Sequence, residues 1–247
     1  MKKHGLFAAL LLAMLTAGCT TIYHPQTVDI PLINHQGDLR VDASAGLSGI
    51  VWPDVLTLGA TASYGFTDWL AGQAHFNYGG NNIYGQLAPG AYLRLGEKGL
   101  LEGYVGLGMG GAWRDEKSKA RDTDTSLFGR YDYSGSFLLP FVQGNIGWHD
   151  LANGHIDLAV GLKTGLYQPS FNYSQFDKSG NLIPDQSYRY GDANFLVEPQ
   201  FEFRAGGEHV KYCLRLSFTW LSDVANGGGG RFTYDFFTIS NGITFAF

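Results

Sequence analysis

Charged residues of both signs recur along this chain at alternate positions, a spacing that puts them on one face of an extended strand. They are Arg40, Asp42, Arg94, Glu102, Asp157, Lys163, Glu198, Glu202, Arg204, Lys211 and Arg215. A charge removed from water has to be paired or hydrogen-bonded. If the shared face is an interior one, these residues form a network of pairs across it. Other chemistry has weaker support. Gly106-Leu107-Gly108-Met109-Gly110-Gly111 matches G-x-G-x-x-G, which cradles a pyrophosphate only between a strand and a helix N-terminus. Here Ala112-Trp113 continue the strand, so small interior residues are the better reading. Asp122 and Asp124 lack the glycine and closing glutamate of an EF-hand loop. Asn172-Tyr173-Ser174 is a glycosylation site only in a suitable secretory pathway. Neither a metal nor a cofactor is expected.

Cys19 and Cys213 are the two cysteines. Lys2 and Lys3 precede an apolar run, Leu6 to Leu15. The run is too short to span a bilayer, which takes about 20 residues, and has the length of a signal-peptide core. It ends in Leu15-Thr16-Ala17-Gly18-Cys19, which resembles the lipobox of bacterial lipoproteins, although Thr16 stands where Leu is commoner. The resemblance implies cleavage after residue 18, acylation of Cys19 and, because Thr20 is not Asp, forwarding to the outer membrane. Cys213 would then have no cysteine partner, and neither a disulfide nor a cysteine-based zinc site is expected. A cleaved signal followed by a chance cysteine is the alternative.

The elements that position the charges are strands. Period-two alternation marks half-buried strands. Leu39, Val41, Ala43, Ala45 and Leu47 oppose Arg40, Asp42 and Ser44; late in the chain, Tyr212, Leu214, Leu216 and Phe218 oppose Lys211, Cys213, Arg215 and Ser217. The same pattern predicts strands over 56–66, 69–78, 83–95, 101–113, 129–148, 155–167 and 194–204, and a last one over 231–247 with a bulge near Phe236-Phe237. That makes ten, an even number. Short connections at 67–68, 97–99, 150–154 and 206–208 alternate with others that include long ones at 114–127, 168–193 and 222–230. Short turns on one rim and longer loops on the other describe a transmembrane barrel with both termini on the short-turn side. Trp69 and Trp148 fall near one rim, Trp113 and Trp220 near the other, as aromatic girdles do.

The last residue, Phe247, with apolar residues at alternate positions before it, resembles the signal read by the bacterial barrel-assembly machinery. The mature chain resembles small outer-membrane barrels of the kind common in Bacteroidetes. We therefore expect an all-β, antiparallel up-and-down transmembrane barrel over 38–247, after a signal peptide at 1–18 and a linker at 19–37. A soluble barrel or sandwich with its apolar face inward alternates equally well. Three features favour lipid outside. The polar parity carries Gly59, Gly65, Gly106, Gly108, Gly110, Gly161 and Gly165, which suit a cramped lumen. Both charge signs lie on that parity. The terminal aromatic and the loop asymmetry have no role in a soluble barrel.

Function is less legible. The net charge is −5, or −7 without Lys2 and Lys3, which argues against nucleic acid. Ten strands leave a lumen largely filled by side chains, so either a narrow pore or loop-mediated binding is expected. The longest loop, 168–193, is flanked or occupied by Tyr167, Phe171, Tyr173, Phe176, Tyr188 and Tyr190, which could anchor a partner or fold onto the rim; loop 114–127 is a second candidate surface. Enzymatic outer-membrane barrels place a histidine with Asp, Glu or Ser near the external rim. His24, His35, His149, His155 and His209 fall at the other rim, and only His75 sits high in a strand facing the lumen. No motif supplies its partners, so no catalytic residue is assigned and a rim hydrolase is the minor alternative. A lipid-anchored soluble barrel holding a small apolar ligand is another. An acyl chain on Cys19 would tie the linker to the inner leaflet, an anchor that a barrel already embedded in the bilayer does not need.

Overall fold

A computed structural model describes residues 20–23, 30–48, 55–79, 81–117, 128–177, 179–222 and 232–247. Fourteen strands occur among them. In chain order they are β1 (Thr20–Tyr23), β2 (Leu39–Ser48), β3 (Val55–Gly65), β4 (Leu70–Gly79), β5 (Asn82–Leu95), β6 (Gly99–Lys117) and β7 (Phe128–Asp150). There follow β8 (Ile156–Asp177), β9 (Tyr188–Tyr190), β10 (Asn194–Gly206), β11 (Val210–Phe218), β12 (Trp220–Leu221), β13 (Phe232–Tyr234) and β14 (Phe237–Ala246). Ten of these, β2 to β8, β10, β11 and β14, form the wall of an antiparallel barrel. Each pairs with the next, and β14 closes the cylinder on β2, from Thr238 opposite Ser48 to Ala246 opposite Arg40. Closure removes the open sheet edges that lipid would not tolerate.

Alternation decides which face is which. Along β6, Leu101, Val105, Leu107, Met109 and Trp113 are exposed, while Leu100, Glu102, Tyr104 and Gly108 are buried. The apolar parity points outward throughout, giving a belt edged by Trp69 and Trp148 on one side and Trp113 and Trp220 on the other, all exposed. Soluble monomers rarely expose a contiguous apolar patch beyond a few hundred Å²; a belt around a whole barrel is a lipid-facing surface.

That reading separates two exposed leucines. Leu107, 45% exposed, lies midway between Leu101 and Trp113 on the belt, whereas Leu182, 50% exposed, lies in the β8–β9 connection. Arginine at a bilayer midplane costs about 2–4 kcal/mol. Leu107→Arg is expected to lower the unfolding free energy in lipid vesicles by that amount, and Leu182→Arg to leave it unchanged. Equal, small effects would mean that both sites face water.

The turns sort as the spacing predicted. One rim carries the tight connections at 66–69, 96–98, 151–155 and 207–209; the other carries the long ones, together with a two-residue connection at 80–81. In the β7–β8 turn, Ala152, Asn153 and Gly154 all take positive φ (48°, 61° and 91°), so this short segment winds left-handed. The expected bulge near Phe236-Phe237 is a break: β13 stops at Tyr234, β14 begins at Phe237, and Thr219 N–H donates to the Phe236 carbonyl at 2.8 Å.

Two expectations are corrected. Strands β6, β7 and β8 run to 19, 23 and 22 residues, so much of what read as loop, 114–117 and 168–177, is strand. Above the belt the outward residues turn polar, with Gln168 and Asn172 exposed, and the apolar alternation that marks a strand in sequence fades. The segment 19–37, expected to be a linker ahead of the barrel, is in its described part an interior element. Tyr23, Ile30, Leu32 and Ile33 are fully buried within the core.

Candidate functional site: a lumen filled by the N-terminal segment

The interior is built in two storeys. Near the short-turn rim lies the charge network. Arg215 donates from both terminal nitrogens to Asp42, at 2.9 and 2.7 Å, a bidentate pair. One of those nitrogens also reaches Glu202 at 3.2 Å, and Arg204 Nε donates to the same carboxylate at 2.8 Å. Lys211 donates to Asp157 at 2.6 Å, and Arg204 approaches that aspartate at 3.8 Å. Arg40, at the network's edge, stands 4.0 Å from Asp157 and 3.9 Å from Asp38. Higher in the barrel Lys163 pairs with Glu198 at 3.3 Å and lies over the Phe141 ring. Glu102 accepts from the Asn145 amide at 3.1 Å.

Ten of the eleven charges expected on the lumen face therefore meet there. Arg94 is the exception. β5 ends one residue later, at Leu95, and the guanidinium is exposed at the rim, donating 2.6 Å to the Asn34 carbonyl.

The charges do a second job that the sequence did not reveal. Three glutamates accept hydrogen bonds from the N-terminal segment: Glu198 from the Tyr23 hydroxyl (3.0 Å), Glu202 from the Ile30 N–H (2.8 Å) and Glu102 from the Ile33 N–H (2.9 Å). Arg204 donates to the Ile30 carbonyl. Hydrogen bonds to charged groups are each worth about 1.5–3 kcal/mol. They also satisfy a backbone that would otherwise be buried without partners.

Missing side chains make the room. A methyl group added at Gly147 would stand 2.6 Å from Leu32 Cδ2, one at Gly65 would stand 2.9 Å from Ile33 Cγ2, and one at Gly161 3.2 Å from Ile30 Cδ1. Leu32 itself has φ of 53°, a conformation unfavourable for a branched side chain and held here by the packing around it. The segment then turns at the rim: Gly37 N–H donates to the Gly65 carbonyl at 2.8 Å, and Leu39 pairs with Phe247 as β2 begins. A polar hollow of about 300 Å³ opens beside this turn, bordered by His149, Asp150 and Lys211. Burial alone would raise the Asp150 carboxyl pKa, but hydrogen bonds and charge from His149 and Lys211 outweigh it and hold the carboxyl below its usual range.

The upper storey is aromatic. Tyr23 packs edge-on against Phe137 and Tyr167, at ring separations of 5.6 and 5.2 Å, and Phe137 stacks on Tyr84. Gly106, Gly108 and Gly110 lie beneath Phe141, Tyr84 and Phe137 respectively. The G-x-G-x-x-G match is thus part of a continuous strand that admits aromatic rings. Phe171 and Tyr190 are buried, and Tyr173 and Tyr188 pack on each other at 5.4 Å. Of the two readings open for the aromatic residues of 168–193, folding onto the barrel is the one that Phe171, Tyr173, Tyr188 and Tyr190 follow. At that loop's start Asp177 accepts from the Asn181 side chain and from the backbone of Asn181 and Ser179, bonds that hold its carboxyl below the usual range and fix the turn.

The remaining candidates are ordinary interior residues. His75 Nδ1 lies 2.9 Å from the Thr61 hydroxyl, with the Tyr84 ring beside it. Cys213 Sγ donates to Asp42 at 3.2 Å. His149, His155 and His209 lie at the short-turn rim, as does His35. Cys19, His24, Asp122 and Asp124 lie outside the described residues.

No protein-family model and no curated protein matches this chain. Among solved structures, the outer membrane protease OmpT from Escherichia coli is similar with a TM-score of 0.51 and 10% identity, over 90% of this chain and 100% of that one. The translocator domain of the autotransporter NalP from Neisseria meningitidis gives a TM-score of 0.45 at 11% identity, over 99% of this chain and 96% of that one. The N-terminal β-barrel domain of OprF from Pseudomonas aeruginosa gives 0.36 at 10%, over 86% and 98%. At such identities the likeness to OmpT is one of fold.

Proposed function

We propose that this chain is a non-enzymatic outer-membrane lipoprotein, acylated at Cys19, whose barrel is closed by its own N-terminal segment. The long-loop rim faces the exterior and the short-turn rim the periplasm, the orientation usual for such barrels. Its role lies in its outer surface and external loops, as a binding or structural component. The observation that carries this reading is the lumen: Ile30, Leu32 and Ile33 are buried inside it and tied to Glu202 and Glu102. Of the two roles that the sequence left open, a pore and a displayed surface, the filled interior favours the second. The exposed apolar belt disfavours a soluble barrel around an apolar ligand. A rim hydrolase has only His75 to recommend it, and that ring is engaged with Thr61.

The test is the purified full-length protein in a planar bilayer. It should show a heat-dependent shift on gels, the mark of a closed barrel, and no conductance steps. Steady single-channel steps from the intact chain would overturn the plug and restore the pore reading.

A further inference from the structure

The direction of the plug was not expected. The described contacts descend the barrel in chain order. Tyr23 touches Phe137 and Glu198, well up β7 and β10. Ile30 meets Glu202, closer to the end of β10 at Gly206. Ile33 meets Glu102, three residues from the start of β6, and Gly37 bonds Gly65 at the short-turn rim. A second observation gives the same polarity independently. β1 lies parallel to β13, with Thr20 opposite Phe232 and Thr21 opposite Thr233. β13 precedes β14 on the path from the long-loop rim down to Phe247. The chain therefore enters at the long-loop end, passes down the lumen and reverses into β2.

We propose that the N-terminal end of the processed chain leaves the barrel on the external side, so that the acyl group of Cys19 sits in the outer leaflet and not, as the sequence suggested, in the inner one. The proposal rests on the lipoprotein reading above. Consecutive Cα atoms are about 3.8 Å apart, so Cys19 stays beside Thr20, while the hydrocarbon core is about 30 Å thick. A lipid on a residue at the loop end reaches only the leaflet on that side. This gives the anchor a task that a barrel does not perform for itself: an acylated end cannot be drawn back through a filled lumen, so the lipid acts as a stop that keeps the plug seated.

The experiment inserts a short charged epitope between Thr20 and Thr21, and in a second protein between Gly207 and Glu208 in the β10–β11 turn. Intact cells are stained with antibody, then permeabilised and stained again, and acylation is followed by incorporation of an alkyne-tagged fatty acid with Cys19→Ser as the blank. The first epitope should stain as fully before permeabilisation as after it, and the second only after. An N-terminal epitope that stains only once the membrane is opened overturns the threaded path. Surface staining without fatty-acid incorporation overturns the lipid anchor and the lipoprotein reading, while the exit of the chain at the surface stands. The reverse pattern, with the turn epitope outside, overturns the orientation and the proposal with it.

Discussion

Deletion of residues 21–36 should turn a silent barrel into a conducting one. Among the described residues the wall strands pair with one another and not with this segment: β14 closes directly on β2, and β1 pairs with β13. The barrel therefore keeps its hydrogen-bonded wall when the plug is removed. The interior does not keep its filling. Leaving with the segment are Tyr23, wedged between Phe137 and Tyr167, and the apolar group Ile30, Leu32 and Ile33. Glu102, Glu198 and Glu202 each lose one donor from the segment but keep their partners on the wall, Asn145, Lys163, and Arg204 with Arg215. The measurement is single-channel recording of the deleted and intact proteins, each first shown to retain the heat-dependent gel shift. A deleted barrel that shifts on heating yet stays silent would mean that wall side chains alone close the lumen. A milder version is Ile33→Pro, which removes the N–H given to Glu102; it should give brief, infrequent openings in place of a steady current.

The wall was legible because its signal is periodic. One parity of β6 or β10 faces lipid and the other an interior of charges and glycines, and each strand repeats the contrast many times. The plug has no such repeat. Ile30-Pro31-Leu32-Ile33 is a short apolar group in an irregular segment, and its partners are scattered over five wall strands. Signs of it did exist on the wall. Leu100, Leu139 and Leu196 occupy the lumen parity and are completely buried. Apolar residues on a face otherwise reserved for charge and glycine ask for an apolar partner inside. Phe137 and Phe141 on that parity ask the same. The glycines were read as suiting a cramped lumen; the neighbour that crowds Gly65 is the chain's own N-terminal segment, and at Gly161 that segment shares the space with the Asn145 side chain. The charges show the limit from the other side. Their shared face was plain, whereas the choice of partners depends on how far each strand is staggered against strands it does not touch in sequence. Asp42 and Arg215 are 173 residues apart.

That pair carries the largest expected effect on stability. Arg215 and Asp42 are 0% and 1% exposed, and their contact is bidentate. Breaking a buried ion pair by removing one partner costs about 3–5 kcal/mol, because the survivor is left as an uncompensated charge. The two partners are not equivalent here. Arg215→Met leaves Asp42 with only the Cys213 thiol and the Thr244 hydroxyl as donors, neither of which is a cation. Asp42→Asn leaves Arg215 with Glu202 at 3.2 Å, and the new amide oxygen can still accept one of the two hydrogen bonds. Arg215→Met should therefore lower the unfolding free energy by the full amount and Asp42→Asn by distinctly less, read from urea unfolding in lipid vesicles. The double variant, Arg215→Met with Asp42→Leu, should recover much of the loss of Arg215→Met, since replacing both charges by apolar groups removes the desolvation penalty along with the attraction. Recovery identifies the cost as a stranded charge. A double variant as unstable as the sum of its parts would instead mean that Arg215 acts mainly through Glu202, the carboxylate that also holds the Ile30 N–H, and that the loss comes from a loosened plug. The two explanations separate in the bilayer, because only a loosened plug adds conductance to the loss of stability.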